Sequence, residues 1–184
     1  MKKLTSLLFI TFVALVAHAQ KLLPELKAGS TATLTVDYNG NPIDLGLTLR
    51  TVGEVINIDW DASGAGGTYA MKAKGLESGT QFSSGKPEVN GVNELTDSET
   101  FMCISKNAYQ ALVKDKKFTY GPLTFFAKDM PDGFKIGDKV IDALYAVTAD
   151  GKTSLWILNS PEYPMTLEMK GNPAGVNYRV VSLK

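Results

Sequence analysis

Histidine is almost missing from this sequence, and its one occurrence, His18, lies close to the N-terminus. Beyond that position the chain cannot build a Ser-His-Asp or Cys-His catalytic site, and it lacks a principal ligand of zinc. Cysteine is equally scarce, because Cys103 stands alone and no disulfide can form within the chain. Cys103 sits in the apolar run Phe101–Ile104, so we expect a small buried side chain and not a reactive thiol.

An excess of basic charge is also lacking. Lysine and arginine together number 19, as do aspartate and glutamate. Loss of Lys2 and Lys3 with a leader would leave seventeen basic and nineteen acidic residues, a net charge of −2. Proteins that bind nucleic acid or an anionic membrane surface carry a basic surplus. We therefore expect neither as a partner, and no cofactor or metal is expected.

The N-terminus has the three parts of a secretory signal peptide. Lys2 and Lys3 supply positive charge, Leu7–Val16 is an apolar run, and Ala17-His18-Ala19 provides the small residues of a cleavage site. The run is shorter than the about 20 residues of a membrane-spanning helix, and no cysteine follows it for lipid attachment. We expect residues 1–19 to be removed, leaving a periplasmic or extracellular protein that is not a lipoprotein.

Alternation of apolar and polar residues with a period of two dominates the rest of the chain. The turn sequences Asn39-Gly40 and Asp150-Gly151 separate such runs and favour hairpins. Many short strands joined by sharp turns predict an all-β, mostly antiparallel fold, in which a curved sheet forms a barrel, half-barrel or sandwich. The predicted strands include Leu34–Tyr38, Ile43–Arg50, Ile56–Trp60, Tyr69–Ala73, Lys117–Tyr120, Leu123–Lys128, Val140–Thr148, Thr153–Leu158, Met165–Met169 and Asn177–Leu183.

One short helix is predicted near residues 105–116. Ser105 is a good N-cap, and apolar side chains recur after it on one side at helical spacing. Residues 20–30 are expected to form an N-terminal arm, and residues 31–184 a single β-rich domain. Residues 75–98 are rich in glycine, serine and asparagine and show no clear pattern.

Three motifs resemble functional sites but lack an essential part. The glycine-rich segment Ser63–Gly67 has neither the further glycine nor the lysine of phosphate-binding loops. Ser83–Lys86 matches S-x-x-K, but the glycine inside it and the proline after it oppose the helix that this chemistry requires. The aspartates within Asp129–Asp138 miss the spacing of a calcium loop. None of the three is taken as a site.

Aromatic and methionine side chains form the candidate binding site. Methionine adapts to irregular gaps and varied ligands, and a small β-barrel either holds one small ligand or fills its interior with side chains. The same residues would equally serve as an ordinary packed core. The candidate lining is Trp60, Met71, Phe125, Tyr145, Trp156, Met165 and Met169.

Three functions remain open at this point. The preferred hypothesis is an exported, non-enzymatic envelope protein that binds an apolar or lipid-like ligand in its curved sheet. The first alternative is a structural or protein-interaction domain with a filled core. The second is a small carboxylate-dependent hydrolase that uses Asp59 and Asp61, which flank Trp60 on the polar face of one strand.

The second half of the chain, mainly residues 99–184, carries a family resemblance. Its segments are Ile104–Leu112, Phe118–Tyr120, Leu155–Leu158, Tyr163–Met165 and Asn177–Val180. In these segments the chain resembles secreted bacterial β-barrel proteins known only as domains of unknown function. The resemblance implies a curved antiparallel sheet with a short helix against it, and it implies no catalytic residue.

Overall fold

The computed structural model describes residues 21–83 and 87–184, so the predicted signal peptide lies outside the described residues. No helix in these two ranges is long and apolar enough to cross a membrane. The helices are α1 (Ala73–Ser78) and α2 (Lys106–Asp115). The strands are β1 (Thr31–Tyr38), β2 (Asn41–Thr51), β3 (Val55–Ala62), β4 (Ala65–Lys72), β5 (Gln81–Phe82), β6 (Val92–Glu94), β7 (Glu99–Thr100), β8 (Lys117–Tyr120), β9 (Leu123–Lys128), β10 (Lys135–Ile136), β11 (Lys139–Val140), β12 (Ala143–Thr148), β13 (Ser154–Leu158), β14 (Thr166–Lys170) and β15 (Val176–Leu183).

Eleven of the strands form one large curved sheet in the order β6-β4-β3-β2-β1-β15-β14-β13-β12-β9-β8. Its neighbouring strands are antiparallel except for β4 and β6. Strands β10 and β11 form a separate hairpin, and β5 pairs with β7. This arrangement confirms the predicted all-β, mostly antiparallel fold. Within the described ranges the edge strands β6 and β8 do not pair with each other, so the sheet stays open and the predicted alternative of a closed barrel is not formed.

One face of the large sheet, here called the inner face, carries a continuous layer of apolar side chains. Residues that pair across neighbouring strands project on the same side, so the register traces this face from strand to strand. It carries Met71, Ile56, Trp60, Leu47, Leu34, Val180, Tyr178, Met169, Leu155, Ala146, Phe125 and Phe118. The alternation seen in the sequence therefore produces one apolar face that spans ten of the eleven strands, from β4 to β8.

Helix α2 packs on the inner face beside β8 and β9. It begins as predicted, because Ser105 Oγ accepts a hydrogen bond from the Ala108 N–H at 3.3 Å. It ends at Lys116, which takes a left-handed conformation with φ of 60°. Its buried side chains, among them Tyr109 and Leu112, contact the aromatic residues of β8 and β9. The predicted helix is confirmed.

The region at residues 75–98 contains order that the sequence did not predict. The six residues of α1 end inside it, and β5 and β6 follow. The N-terminus of α1 has no side-chain cap, and a helix this short is held by tertiary packing, here through the buried Leu76. A Cβ at Gly75 would lie 2.6 Å from the Glu99 carbonyl oxygen, so glycine permits this close approach. Long-range contacts, which leave little local signal, account for the difference.

The β10–β11 hairpin lies against the opposite, outer face of the sheet at β15. Glu168 is buried on that face and accepts a hydrogen bond from Arg179 Nη1 at 2.5 Å. The Arg179 guanidinium also lies 4.4 Å from the centre of the Phe134 ring and donates to the Lys135 carbonyl. The ion pair and the stacked ring together hold the hairpin against the sheet.

The N-terminal arm crosses one end of the sheet. The Leu22 N–H donates to the Val140 carbonyl, and the Leu22 carbonyl accepts from the Asp142 N–H, both at 2.8 Å. Further along, the Gly29 N–H donates to the Leu49 carbonyl, also at 2.8 Å. The arm is thus tied at both ends, and Leu26 lies between the two attachments.

Candidate functional site

The segment Thr100–Ser105 is largely buried and packs against the inner face, where Cys103 contacts Met71. The segment is joined to β8 by a chain of hydrogen bonds. The Ser105 N–H donates to Tyr120 Oη at 3.0 Å, Tyr120 Oη lies 2.7 Å from Thr100 Oγ1, and Thr100 Oγ1 donates to the Cys103 carbonyl at 2.5 Å. Burial raises the pKa of Tyr120 above its usual range, so this phenol stays protonated. The network satisfies polar groups that would otherwise be buried unpaired.

The single cysteine is fully buried at the centre of this segment, as predicted. Its Sγ lies 3.9 Å from the Met71 Sδ, and Met165 pairs with it across an isolated bridge. Burial raises the pKa of the Cys103 thiol to about 12 and that of the neighbouring Tyr163 well above its usual range. A thiol that keeps its proton at neutral pH is a poor nucleophile.

A small apolar cavity lies on the inner face below the arm. Its volume is about 30 Å³, the space of about one water molecule. Aliphatic side chains of β1, β2 and β3 form one wall, and residues of two loops close the other. The lining residues are Leu26, Ser30, Thr31, Ala32, Leu47, Leu49, Ile58, Met102, Tyr163, Met165 and Leu183.

A larger cleft of about 250 Å³ opens beside this cavity, between the β2–β3 turn and the N-termini of α1 and α2. The buried side chains of Ile56 and Leu76 form its apolar floor, Leu26, Val52 and Ala73 add apolar side chains around it, and Glu77, Lys106 and Glu162 are its charged lining residues. Leu26 and Tyr163 line both the cavity and the cleft. These two side chains therefore form the partition between the two spaces.

Lys106 is the basic group at the edge of the cleft. Its Nζ lies 3.3 Å from a Glu162 carboxylate oxygen and 3.9 Å from a Glu77 carboxylate oxygen. The lysine side chain is 28% exposed, against 59% for Glu77 and 86% for Glu162. The lysine side chain is thus largely covered, while its two carboxylate partners are well exposed.

No family model, no curated protein and no solved structure matches this chain. The resemblance based on residues 99–184 therefore stays a prediction. The function of the protein has to be argued from the arrangement of its own residues.

The structure disperses the seven residues predicted to line a ligand site. Trp60 and Met71 lie on the inner face near β3 and β4, whereas Phe125 and Met169 lie under α2. Met165 is the one of the seven that lines the apolar cavity. The Trp60 indole N–H is buried and has no hydrogen-bond partner among the residues that the structure describes.

Tyr145 and Trp156 lie on the outer face. They pair with each other across β12 and β13, and Trp156 pairs in turn with Glu168. Their rings are 4.6 Å apart, and Lys170 Nζ lies 4.8 Å from the Trp156 ring centre. These two aromatic residues belong to the packing on the outer face and are separated by the sheet from the cavity and the cleft.

Asp59 and Asp61, the candidate carboxylates of a hydrolase, project from β3 on the outer face, opposite Trp60. Asp59 forms an ion pair with Arg50 and accepts a hydrogen bond from Thr68 Oγ1 at 2.7 Å. Asp61 is exposed beside Gly46, and neither aspartate lines the cavity or the cleft. This geometry resembles a solvated ion-paired surface and not an acid–base pair around a substrate.

Sequence reasoning missed Leu26, Lys106 and Tyr163, which shape the cleft. Lys106 did carry a local signal, because a basic residue in the first turn of a helix faces the positive end of the helix dipole. The first turn of α2 contains no acidic residue to offset it. Leu26 and Tyr163 gave no such signal, since long-range packing alone brings them together.

Proposed function

We propose that this protein is an exported, non-enzymatic envelope protein that binds a small apolar ligand at the arm end of its inner face, the end that the N-terminal arm covers. The observation that carries the proposal is the shared partition of the cavity and the cleft, formed by Leu26 and Tyr163. The Lys2-Lys3 start, the apolar run and the Ala17-His18-Ala19 site support export. The burial of Cys103, the ion pair of Asp59 with Arg50 and the exposed position of Asp61 support a non-enzymatic role.

The size of the site favours a small ligand. Pockets for drug-sized molecules measure roughly 300–1,000 Å³, and the cleft of about 250 Å³ lies just below that range. The apolar cavity adds about 30 Å³ if Leu26 moves aside. Leu26 is half-buried, lies between the two attached ends of the arm and borders empty space on both sides.

A structural or protein-interaction domain is the second candidate, and it also has a specific observation in its favour. Under α2 the inner face is densely filled, with Phe125, Leu155 and Ile157 fully buried. A protein whose whole interior is packed this densely would retain no ligand. The two candidates therefore differ in whether the arm end accepts an apolar molecule.

Native mass spectrometry of residues 20–184, purified from a bacterial periplasm, tests the proposal. We expect an added mass that disappears on denaturation, or a stoichiometric complex after addition of decanol. Ala73→Phe should weaken the complex because Ala73 is exposed and lines the cleft. Lys74→Phe is the matched control, since Lys74 is the next exposed residue of the same helix and does not line the cleft. A bare mass that stays bare with decanol would overturn the proposal and favour the interaction domain.

A further inference from the structure

We infer that the ligand is an amphiphile with a single anionic head group, which pairs with Lys106 while the apolar tail lies along Leu26, Ile56 and Leu76. This inference rests on the proposed function and specifies its ligand. Lys106 is the first residue of α2 and stands directly at the edge of the apolar floor. The cleft thus places one cation, paired with the exposed carboxylates of Glu77 and Glu162, beside apolar side chains that a hydrocarbon chain can contact.

The ion pairs of Lys106 with the two glutamates at the cleft edge are weak enough for a ligand to replace them. Their carboxylates are well exposed, and the contacts of 3.3 Å and 3.9 Å are those of ordinary surface ion pairs. Such pairs contribute little to stability, because solvent screens the charges and the long side chains lose conformational freedom. Glu162 in particular can turn into solvent and leave the ammonium to an incoming carboxylate.

The start of α2 adds a second source of positive potential at the same place. The N-terminus of a helix carries a partial positive charge, and anions are stabilised close to it. Here the first turn contains Lys106 and no acidic residue, so lysine and helix act in the same direction. A carboxylate beside Lys106 Nζ would interact favourably with both, whereas a neutral head group would gain from neither charge.

Calorimetric titration of residues 20–184 with decanoate, decanol and decylamine at neutral pH and low salt tests the inference. The three molecules share one tail and differ in the charge of the head. We expect decanoate to bind about tenfold more tightly than decanol, the effect of one charge-assisted hydrogen bond. Decylamine should bind more weakly than decanoate, because its ammonium is repelled by Lys106 and by the helix end.

Two variants of the cleft edge and one control assign the effect to Lys106. Lys106→Met should remove the advantage of decanoate and leave decanol unchanged. Glu162→Gln should strengthen decanoate binding, because it removes the nearer competing carboxylate. Lys114→Met changes an exposed lysine on the same helix, away from the cleft, and should have no effect.

The outcomes separate this inference from the proposed function. Equal binding of decanoate and decanol, or decanoate binding that survives Lys106→Met, would overturn the head-group assignment and leave apolar binding intact. Tighter binding of decylamine than of decanoate would also overturn it, and would indicate that Glu77 and Glu162 bind the head group. If none of the three molecules binds, the proposed function itself fails.

Discussion

The two ends of the inner face are built from the same alternating strands but are covered differently. Under α2, Phe125 is fully buried and its ring stacks on Phe118 with the centroids 5.2 Å apart. Under the N-terminal arm, by contrast, the strands line the small cavity and the open cleft. The sheet therefore has an apolar surface at both ends. The element that covers each end determines whether that surface becomes closely packed core or lines an open space.

The covering elements differ in how many apolar side chains they bring. Helix α2 presents a stripe that includes Tyr109 and Leu112, spaced so that both face the sheet. The arm has no regular structure and brings Leu26 to the cavity and the cleft. A single aliphatic side chain fills less space than a helical stripe, and the remaining volume is the candidate site.

The largest expected effect comes from truncating one side chain at each end. Phe125→Ala should lower the free energy of unfolding by about 3–5 kcal/mol, because it removes a fully buried ring from close packing. Leu26→Ala should cost about 1 kcal/mol or less, because that side chain is only half-buried and already borders empty space. Urea unfolding followed by circular dichroism measures both. Equal losses would contradict the distinction between a packed and a hollow end.

The sequence predicted the strands and α2 well because their signals are local. Alternation fixes which residues share a face, and Ser105 marks the start of the helix within one turn. The same alternation correctly separates Phe125, buried on the inner face, from its half-buried neighbour Phe126. Helix α1 and the short strands that follow it carried no comparable signal and were missed.

The candidate site was harder to predict, because alternation distinguishes two faces without showing what covers each one. Trp156 and Tyr145 are aromatic and lie in strands like the inner-face residues, yet they project from the outer face, where Trp156 is also buried. The cleft depends on Leu26, Lys106 and Tyr163, which are far apart in the chain. Only the folded topology brings such residues to one place.

A smaller effect on stability is expected when an alanine at each end of the inner face is replaced by the larger leucine. Ala146 is fully buried under α2, so Ala146→Leu should destabilise the protein by about 1–3 kcal/mol through overpacking. Ala32 borders the cavity of about 30 Å³, which has space for about one of the three added carbons, so Ala32→Leu should cost less than Ala146→Leu. Thermal unfolding of the two variants compares them directly. A larger penalty for Ala32→Leu would show that the cavity cannot accept side-chain atoms.

The smallest expected effect concerns Cys103, which lies between the two ends and touches Met71 and Tyr163. Burial raises the pKa of its thiol to about 12 in the folded state, against about 8.5 in an unfolded chain. The folded protein therefore holds the proton more tightly, and this contribution to stability is complete below about pH 8.5 and is lost as the pH rises towards 12.

Between pH 9 and 10, ionisation of the thiol alone should lower the free energy of unfolding by up to about 1.4 kcal/mol. The free energy of unfolding of Cys103→Ala should fall by that much less over the same interval. The buried tyrosines add a loss above pH 10, but they are common to both proteins and cancel in the difference. Urea unfolding at pH 7, 9 and 10 measures the two slopes. Parallel slopes would mean that water reaches the thiol through the cavity, and would place Cys103 in the hollow end rather than in the packed interior.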